Sequence, residues 1–289
     1  MLRSKIVVGT ANFGLDYGIR NSAGKLTDPS IADICEVAER NGITTFDTAQ
    51  GYGDAETRLR NKAPNKADII TKISIDQQMK YKPGDIKKKI DRSLSEAKQK
   101  QYYGVLIHQP ELFYRSDVTK IISELNALKR EKLIKKIGVS IYSPSVLELV
   151  MKNFKPDIVQ VPFNIFDQRI SQSGWAKILF SMGVELHARS AFLQGLLLEP
   201  QTALPTFAKE RYSEIFSTWF DYQRHVGLPA DYLALKFVLQ QHWLSKVVVG
   251  IDSAKQLQRL IEIELSEDSI EINGFNFQDE GLLNPFNWK

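Results

Sequence analysis

Four side chains in the first half of the chain have the types needed to move a proton: an acid at Asp47, a phenol at Tyr52, an amine at Lys72 and an imidazole at His108. Three of them close short apolar runs, Asp47 after GITTF, Lys72 after ADIIT and His108 after YYGVLI, and Tyr52 follows Asp47 in the same glycine-flanked stretch, FDTAQGYG. Together they suit proton transfer to a carbonyl oxygen. A phenol, with a pKa near ~10, is a poor acid at neutral pH unless a nearby cation stabilises the phenolate. Lys72 is placed to supply that cation, Asp47 to hold the ammonium and keep it charged, and His108 to donate a hydrogen bond that orients the carbonyl. Each residue alone also has an ordinary reading. A strand-end aspartate often caps a helix or closes an Asx turn, Tyr52 fits a packed loop aromatic, a lone strand-end lysine is commonly a surface residue, and His108 fits a satisfied core histidine. It is their occurrence in sequence at three consecutive strand ends that favours the shared chemistry.

The elements that must position them follow from the apolar periodicity. Runs that read as buried strands recur about eight times, from KIVVGT near residue 5 to SKVVVG near residue 245, and segments of helical period separate them. Helix punctuation agrees: Ser116 opens SDVTKIISELNALKREK, Ser143-Pro144 opens SPSVLELVMKN, and Gly42 follows IADICEVAERN where a helix should stop. Strand then helix, repeated through one uninterrupted chain, predicts an α/β fold with a single (β/α)8 barrel domain spanning residues 1–289, with an open doubly wound sheet as the other reading. In a barrel the C-terminal strand ends converge on one mouth. The stretch 196–229 reads as an inserted loop carrying the helix RYSEIFSTWFDYQRHVG, and the tail FNFQDEGLLNPFNWK as a cover for the mouth or as packing on the outside.

Composition narrows the function classes. With 38 basic against 34 acidic residues, a net charge of +4 and no long single-sign block, neither nucleic acid nor an anionic membrane is expected as the main partner. Cys35, the one cysteine, excludes an intramolecular disulfide and any multi-cysteine metal site, and its helical setting makes it a core residue. The four histidines, His108, His187, His225 and His242, are scattered without an H-x-H or H-E-x-x-H pair, which disfavours metal-dependent isomerase or hydrolase chemistry and predicts no metal site. No run approaches the ~20 apolar residues of a membrane span, and the N-terminus lacks a signal-peptide pattern. A soluble, cytoplasmic, monomeric protein is the expectation.

In its motifs the chain resembles the aldo-keto reductase family over almost its whole length. GTANFG after the first strand is similar to the family's opening glycine turn, FDTAQGYGDAE to its most recognisable motif, and ITK and LIH to the segments that carry the lysine and histidine. IGVSIYS, VQVPFNIFDQR, RSAFLQGLL and VVVGIDSAKQL follow the later blocks. The resemblance implies a barrel that binds NADP(H) or NAD(H) in extended form and reduces an aldehyde or ketone, with Asp47, Tyr52, Lys72 and His108 as the catalytic tetrad. It also implies a cofactor site of Gly9, Thr10 and Ala11 after the first strand, Asp47, Ser140 and Gln160 at the carboxamide, and Arg189, Ser190, Phe192, Leu193 and Gly195 around the ring and pyrophosphate. Gly250, Asp252 and Gln256 would meet the adenosine end. A bacterial branch associated with polysaccharide and nucleotide-sugar pathways shares the long first loop and ARSAFLQGLLL, so a sugar carbonyl is one implied substrate class. Asn12, Tyr17, Gln109, Asn164 and Arg169 are the candidate substrate contacts.

Several positions depart from the family pattern. Ile141 stands where an asparagine often holds the carboxamide, and Arg189 where an aromatic usually stacks on the nicotinamide, although a flat guanidinium is able to cover a ring. Asp252 and Leu260 stand where a cation or serine and an asparagine commonly serve NADPH; a carboxylate there would repel a 2′-phosphate and accept from a ribose 2′-hydroxyl. Lys255 and Arg259 are placed to compensate, and family habit leans to NADP(H). A cofactor-binding sensor subunit with little turnover is the alternative function.

Overall fold

The computed structural model describes residues 4–18, 24–64, 66–75, 81–198, 200–266 and 269–288. Eight parallel strands close into a barrel in chain order: β1 (Ile6–Gly9), β2 (Thr45–Asp47), β3 (Asp68–Ile73), β4 (Tyr102–Ile107), β5 (Ile134–Ser140), β6 (Ile158–Pro162), β7 (Glu185–Arg189) and β8 (Lys246–Gly250). Closure is made by β1 against β8, where Gly9 pairs with Gly250, and on its other side Gly9 pairs with Asp47 of β2. Ser140 pairs with Gln160 and Pro162 with Arg189, so the polar residues expected at strand ends stand side by side around one mouth. The open sheet is thereby excluded. Most strand residues are buried, as expected of strands packed on both faces, and β-branched side chains are frequent in β1, β3, β6 and β8.

The surrounding helices are built as their sequences predict. The helix Asp28–Arg40 is capped by Thr27, whose hydroxyl accepts from Ser30 N, buries Ile31, Ile34, Cys35 and Ala38, and stops where Gly42 takes φ +70°. Burial pushes the Cys35 thiol up to about 12, so it packs as a small neutral side chain. The helix expected from Ser116 begins instead at Val118. There the carboxylate of Asp117, the residue before it, is gripped by Arg115.

The insertion forms two helices, Thr206–Arg211 and Ser213–Val226. Trp219 from the second is fully buried, with its indole N–H donated to Leu197 O at 3.0 Å. The tail lies on the mouth side: Phe277 N donates to Phe166 O at 2.9 Å in the loop after β6, and Phe275 and Phe277 pack on the Phe166 ring. Arg169 completes this clamp, binding Asp167, the tail residue Glu280 and the carbonyl of Tyr142. Residues 19–23 of the long first loop lie outside the described residues. Among the described residues no helix is long and apolar enough to cross a membrane.

Candidate functional site

Asp47, Lys72 and the residue before His108, Ile107, end or nearly end three adjacent strands, and their side chains meet. The Lys72 ammonium, 1% exposed, donates to Asp47 Oδ1, to Thr48 O at 3.1 Å and to the Tyr52 hydroxyl at 3.4 Å. The second Asp47 oxygen accepts from Gln160 Nε2 at 2.7 Å, and Gln160 Oε1 accepts from Ser140 Oγ at 3.4 Å. A hydrogen-bonded line therefore runs from β5 through β6, β2 and β3 to the phenol. His108 stands edge-on to the Tyr52 ring, with centroids 6.0 Å apart.

Burial and charge set the protonation states. Burial alone would strip the Lys72 proton, but Asp47 and Tyr52 outweigh it and raise the lysine, which stays an ammonium. Burial raises Tyr52, and the Lys72 charge offsets this only in part, so the phenol keeps its proton. The sequence argument, which weighed only the cation, missed that desolvation. Burial, followed by Lys72, pushes His108 down to about 4, which leaves a neutral imidazole at neutral pH.

Two glycines hold the phenol in place. A Cβ on Gly14 would collide with the Tyr52 carbonyl oxygen and a Cβ on Gly53 with Gly14 O; Gly53 also sits at φ +59°. Thr10 fastens the first loop to β2 through its N–H and hydroxyl, which donate to Asp47 O at 2.9 and 3.0 Å. The glycines of GTANFG and GYG are thus one contact, made between segments about 40 residues apart in the chain.

A cavity of about 500 Å³ begins at these side chains and runs to the N-terminus of the helix Ala254–Leu265. Asp47, Tyr52, Lys72 and His108 all line it. So do Gly9, Thr10, Ala11, Ser140, Gln160, Arg189, Ser190, Phe192, Gly195, Gly250, Asp252 and Gln256, together with Asn12 and Tyr17. Four predicted contacts fall elsewhere. Leu193 is 1% exposed and packs in the core, because the left-handed backbone at Leu193 and Gln194 turns Gln194 to the cavity in its place. Gln109 accepts from Ile75 N at 3.2 Å, and Asn164, fully buried, binds Ser190 O, Phe166 N and Asp167 N. Arg169 anchors the tail. These polar groups satisfy loop backbone or charge that would otherwise be buried without partners.

The cavity also takes in Tyr142, which sequence reasoning passed over, and Gln194 and Ser253, which fall inside the segments Ser190 to Gly195 and Gly250 to Gln256 that the family resemblance assigns to the pyrophosphate and the adenosine end. The Gln194 amide donates to the Tyr17 hydroxyl at 2.8 Å, bringing the first and seventh loops together. Tyr142 lies two residues beyond the end of β5, and Ser253 caps its helix by accepting from Gln256 N, so strand-end and capping rules carried a signal for both.

The model of the aldo/keto reductase family matches residues 5–272. The chain belongs to this family. As such it is an NAD(P)-dependent oxidoreductase of carbonyl chemistry acting on small molecules. Among solved structures, the aldo-keto reductase AKR11C1 from Bacillus halodurans in its holo form is similar with a TM-score of 0.72 and 19% identity, over 93% of this chain and 88% of that one. The glycerol dehydrogenase AKR11B4 from Gluconobacter oxydans is similar with a TM-score of 0.71 and 20% identity, over the same 93% and 88%. At such identities the likeness speaks for the barrel alone. A sequence search of curated proteins finds no match.

The lining of this aldo-keto reductase fits an extended dinucleotide. Asn12 Oδ1 is a buried acceptor in the cavity wall without a partner among the described residues, available to a ligand donor. Ser190, Leu193, Gln194 and Gly195 all take positive φ, so the loop bordering the cavity carries the kind of backbone strain that collects at ligand sites. Arg189 lies 4.4 Å over the Tyr142 ring and donates to Ile141 O at 3.0 Å. Asp252, exposed at the far end, accepts from Asn12 Nδ2 at 2.9 Å, while Arg259 pairs with Asp231 at 3.2 Å.

Proposed function

We propose that the chain reduces the carbonyl of a polar small molecule, with Tyr52 as general acid and the barrel working as one catalytic domain. The observation that carries this reading is the line from Asp47 through the Lys72 ammonium to a protonated Tyr52 beside a neutral His108, all in the wall of one cavity. When bound, the nicotinamide cofactor supplies a hydride to the carbonyl carbon. His108 donates from its neutral ring to the carbonyl oxygen and orients it. Tyr52 passes its hydroxyl proton to that oxygen as negative charge grows there, Lys72 stabilises the phenolate left behind, and a proton from solvent restores the phenol. Asp47 is a positioning residue, since it keeps Lys72 charged and aimed at Tyr52.

Ser140 and Gln160 hold the carboxamide in this reading, and Ser190 to Gly195 wrap the pyrophosphate. The charges at the adenosine end favour NADH. Asp252 lines the cavity, Arg259 is engaged by Asp231, and Lys255 is not part of the lining, so the two cations that would offset Asp252 are turned to other uses or away. Tyr17, which acts on the Tyr52 phenol, and Gln194, which donates to Tyr17, make one wall polar, which suits a hydroxylated substrate such as a sugar carbonyl.

Parallel fluorescence titrations with NADH and NADPH, followed by a single turnover against a panel of hydroxyaldehydes and ketones, test the proposal. Saturable binding and consumption of the bound reduced cofactor are expected; binding without consumption would favour the sensor reading. Asp252→Ser should raise NADPH affinity relative to NADH by about tenfold, from removal of a charge close to a phosphate dianion. An unchanged ratio would move Asp252 away from the ribose.

A further inference from the structure

Among the described residues, no carboxylate pairs with the Arg189 guanidinium. Its hydrogen bonds go to neutral acceptors, Ile141 O at 3.0 Å and Ser190 Oγ at 3.3 Å, and its guanidinium lies on the neutral face of Tyr142. The other cation at this end of the cavity, Lys72, is paired with Asp47. Asp252, the remaining carboxylate in the lining, belongs to the opposite end and is held by Asn12. Arg189 is also close enough to His108 to contribute to its depressed pKa, so its field reaches the place where the carbonyl is held. A lone guanidinium in a partly desolvated wall responds strongly to any change in charge beside it.

Carbonyl reduction makes such a change. A hydride, with its two electrons, leaves the dihydronicotinamide for the carbonyl carbon, the Tyr52 proton goes to the oxygen, and the ring that was neutral becomes a cation. The hydride donor must lie within about 3–3.5 Å of a carbonyl held by Tyr52 and His108. That confines the ring to the end of the cavity walled by Ser140, Gln160 and Arg189.

We propose that Arg189 is a specificity residue for the oxidation state of the cofactor: it accepts the flat neutral ring of NADH and repels the cationic ring of NAD+, so that the oxidised cofactor leaves after turnover. The inference rests on the reading that the nicotinamide binds beside Tyr52. An aromatic at this position would do the reverse, because a ring face attracts a cation. The substitution of a guanidinium thus biases the site toward reduction and toward release of the spent cofactor.

Equilibrium titration of the wild-type protein, Arg189→Gln and Arg189→Lys with NADH and with NAD+ tests this without any substrate. Wild type should bind NADH more tightly than NAD+ by on the order of tenfold or more. Arg189→Gln should close that gap several-fold, chiefly by tighter NAD+ binding, and Arg189→Lys, which keeps the charge, should retain it. Should Arg189→Gln weaken both cofactors alike, Arg189 merely props Tyr142 and the charge argument fails; an unchanged ratio in a well-folded variant also overturns it. If wild type binds neither cofactor, the cofactor site itself is misread and this inference falls with it. Binding of both with equal affinity would overturn the Arg189 proposal alone.

Discussion

The barrel holds two clusters of the same composition, a tyrosine, a lysine and a carboxylate, at its opposite ends. At the mouth are Tyr52, Lys72 and Asp47; at the N-terminal strand ends are Tyr103, Lys136 and Glu185. In both, the lysine donates to the phenol oxygen and to the carboxylate. The difference lies in the phenol's own proton. Tyr103 donates it to Glu185, at 2.9 and 3.2 Å, whereas Tyr52 donates to no acceptor among the described residues and lines the cavity. Lys72 is buried, while Lys136 and Glu185 are each 28% exposed, so water weakens the second set of charges. The same residue types thus stand in two different settings, and only the mouth cluster sets its phenol in a cavity wall.

Removing the two phenol oxygens in turn gives the largest expected contrast. Tyr52→Phe should lower turnover by about 10³-fold or more and leave cofactor affinity nearly unchanged. Tyr103→Phe should leave turnover within about twofold and lower stability by about 1–2 kcal/mol, read as a shift in thermal midpoint. Equal loss of turnover in the two variants would erase the functional distinction between the ends.

A smaller effect is expected from the backbone that aims Tyr52. Gly14→Ala should displace the Tyr52 loop and lower turnover by roughly 10²-fold, with cofactor binding kept within about twofold, because misplacement of a reacting group by an ångström is that costly. Wild-type turnover in Gly14→Ala would show that the loop relaxes without moving the hydroxyl.

Lys136→Met should have its effect on folding only. It leaves Glu185 half-buried without its ammonium, so a loss of about 1–2 kcal/mol is expected in denaturant unfolding, with kcat and KM retained. A changed KM would couple the lower cluster to the mouth.

Acidification sharpens the same contrast by the smallest margin. Burial works to raise Glu185, but the nearby His187 ring and the bonds from Lys136 and Tyr103 prevail and hold it at about 2. A depressed carboxylate stabilises the fold fully above its unfolded pKa, about 4.5, and this contribution is lost as pH falls from there toward 2. The thermal midpoints of wild type and Glu185→Gln should therefore converge over that window. At the mouth, His108 remains neutral until about pH 4, so kcat/KM should show no inflection near the usual histidine pKa of ~6.5. An inflection there that disappears in His108→Gln would mean that the imidazole is charged in the working site.

Much of this was legible in the chain itself. Asp47, Lys72 and His108 announced themselves as polar residues at the ends of apolar runs, a pattern that strand burial explains, and the glycines around Tyr52 marked a turn. Ser140, Gln160 and Arg189 were singled out by the family resemblance instead, and they too line the cavity. Gln109, Asn164 and Arg169, equally polar but two to seven residues beyond their strands, do not line the cavity, because their side chains complete loop backbone and a tail clamp supplied by residues up to 111 positions away.

Residue order alone determined the alternation of strands and helices, the burial of Cys35 and the set of groups able to move a proton, since each follows from local periodicity, capping and side-chain chemistry. Tertiary structure decided the rest. Barrel closure, the meeting of Gly14 with Gly53, the seating of Arg189 on Tyr142 and the protonated state of Tyr52 depend on which distant surfaces exclude water from one another, and desolvation is a property of the packed chain that no short stretch of sequence contains.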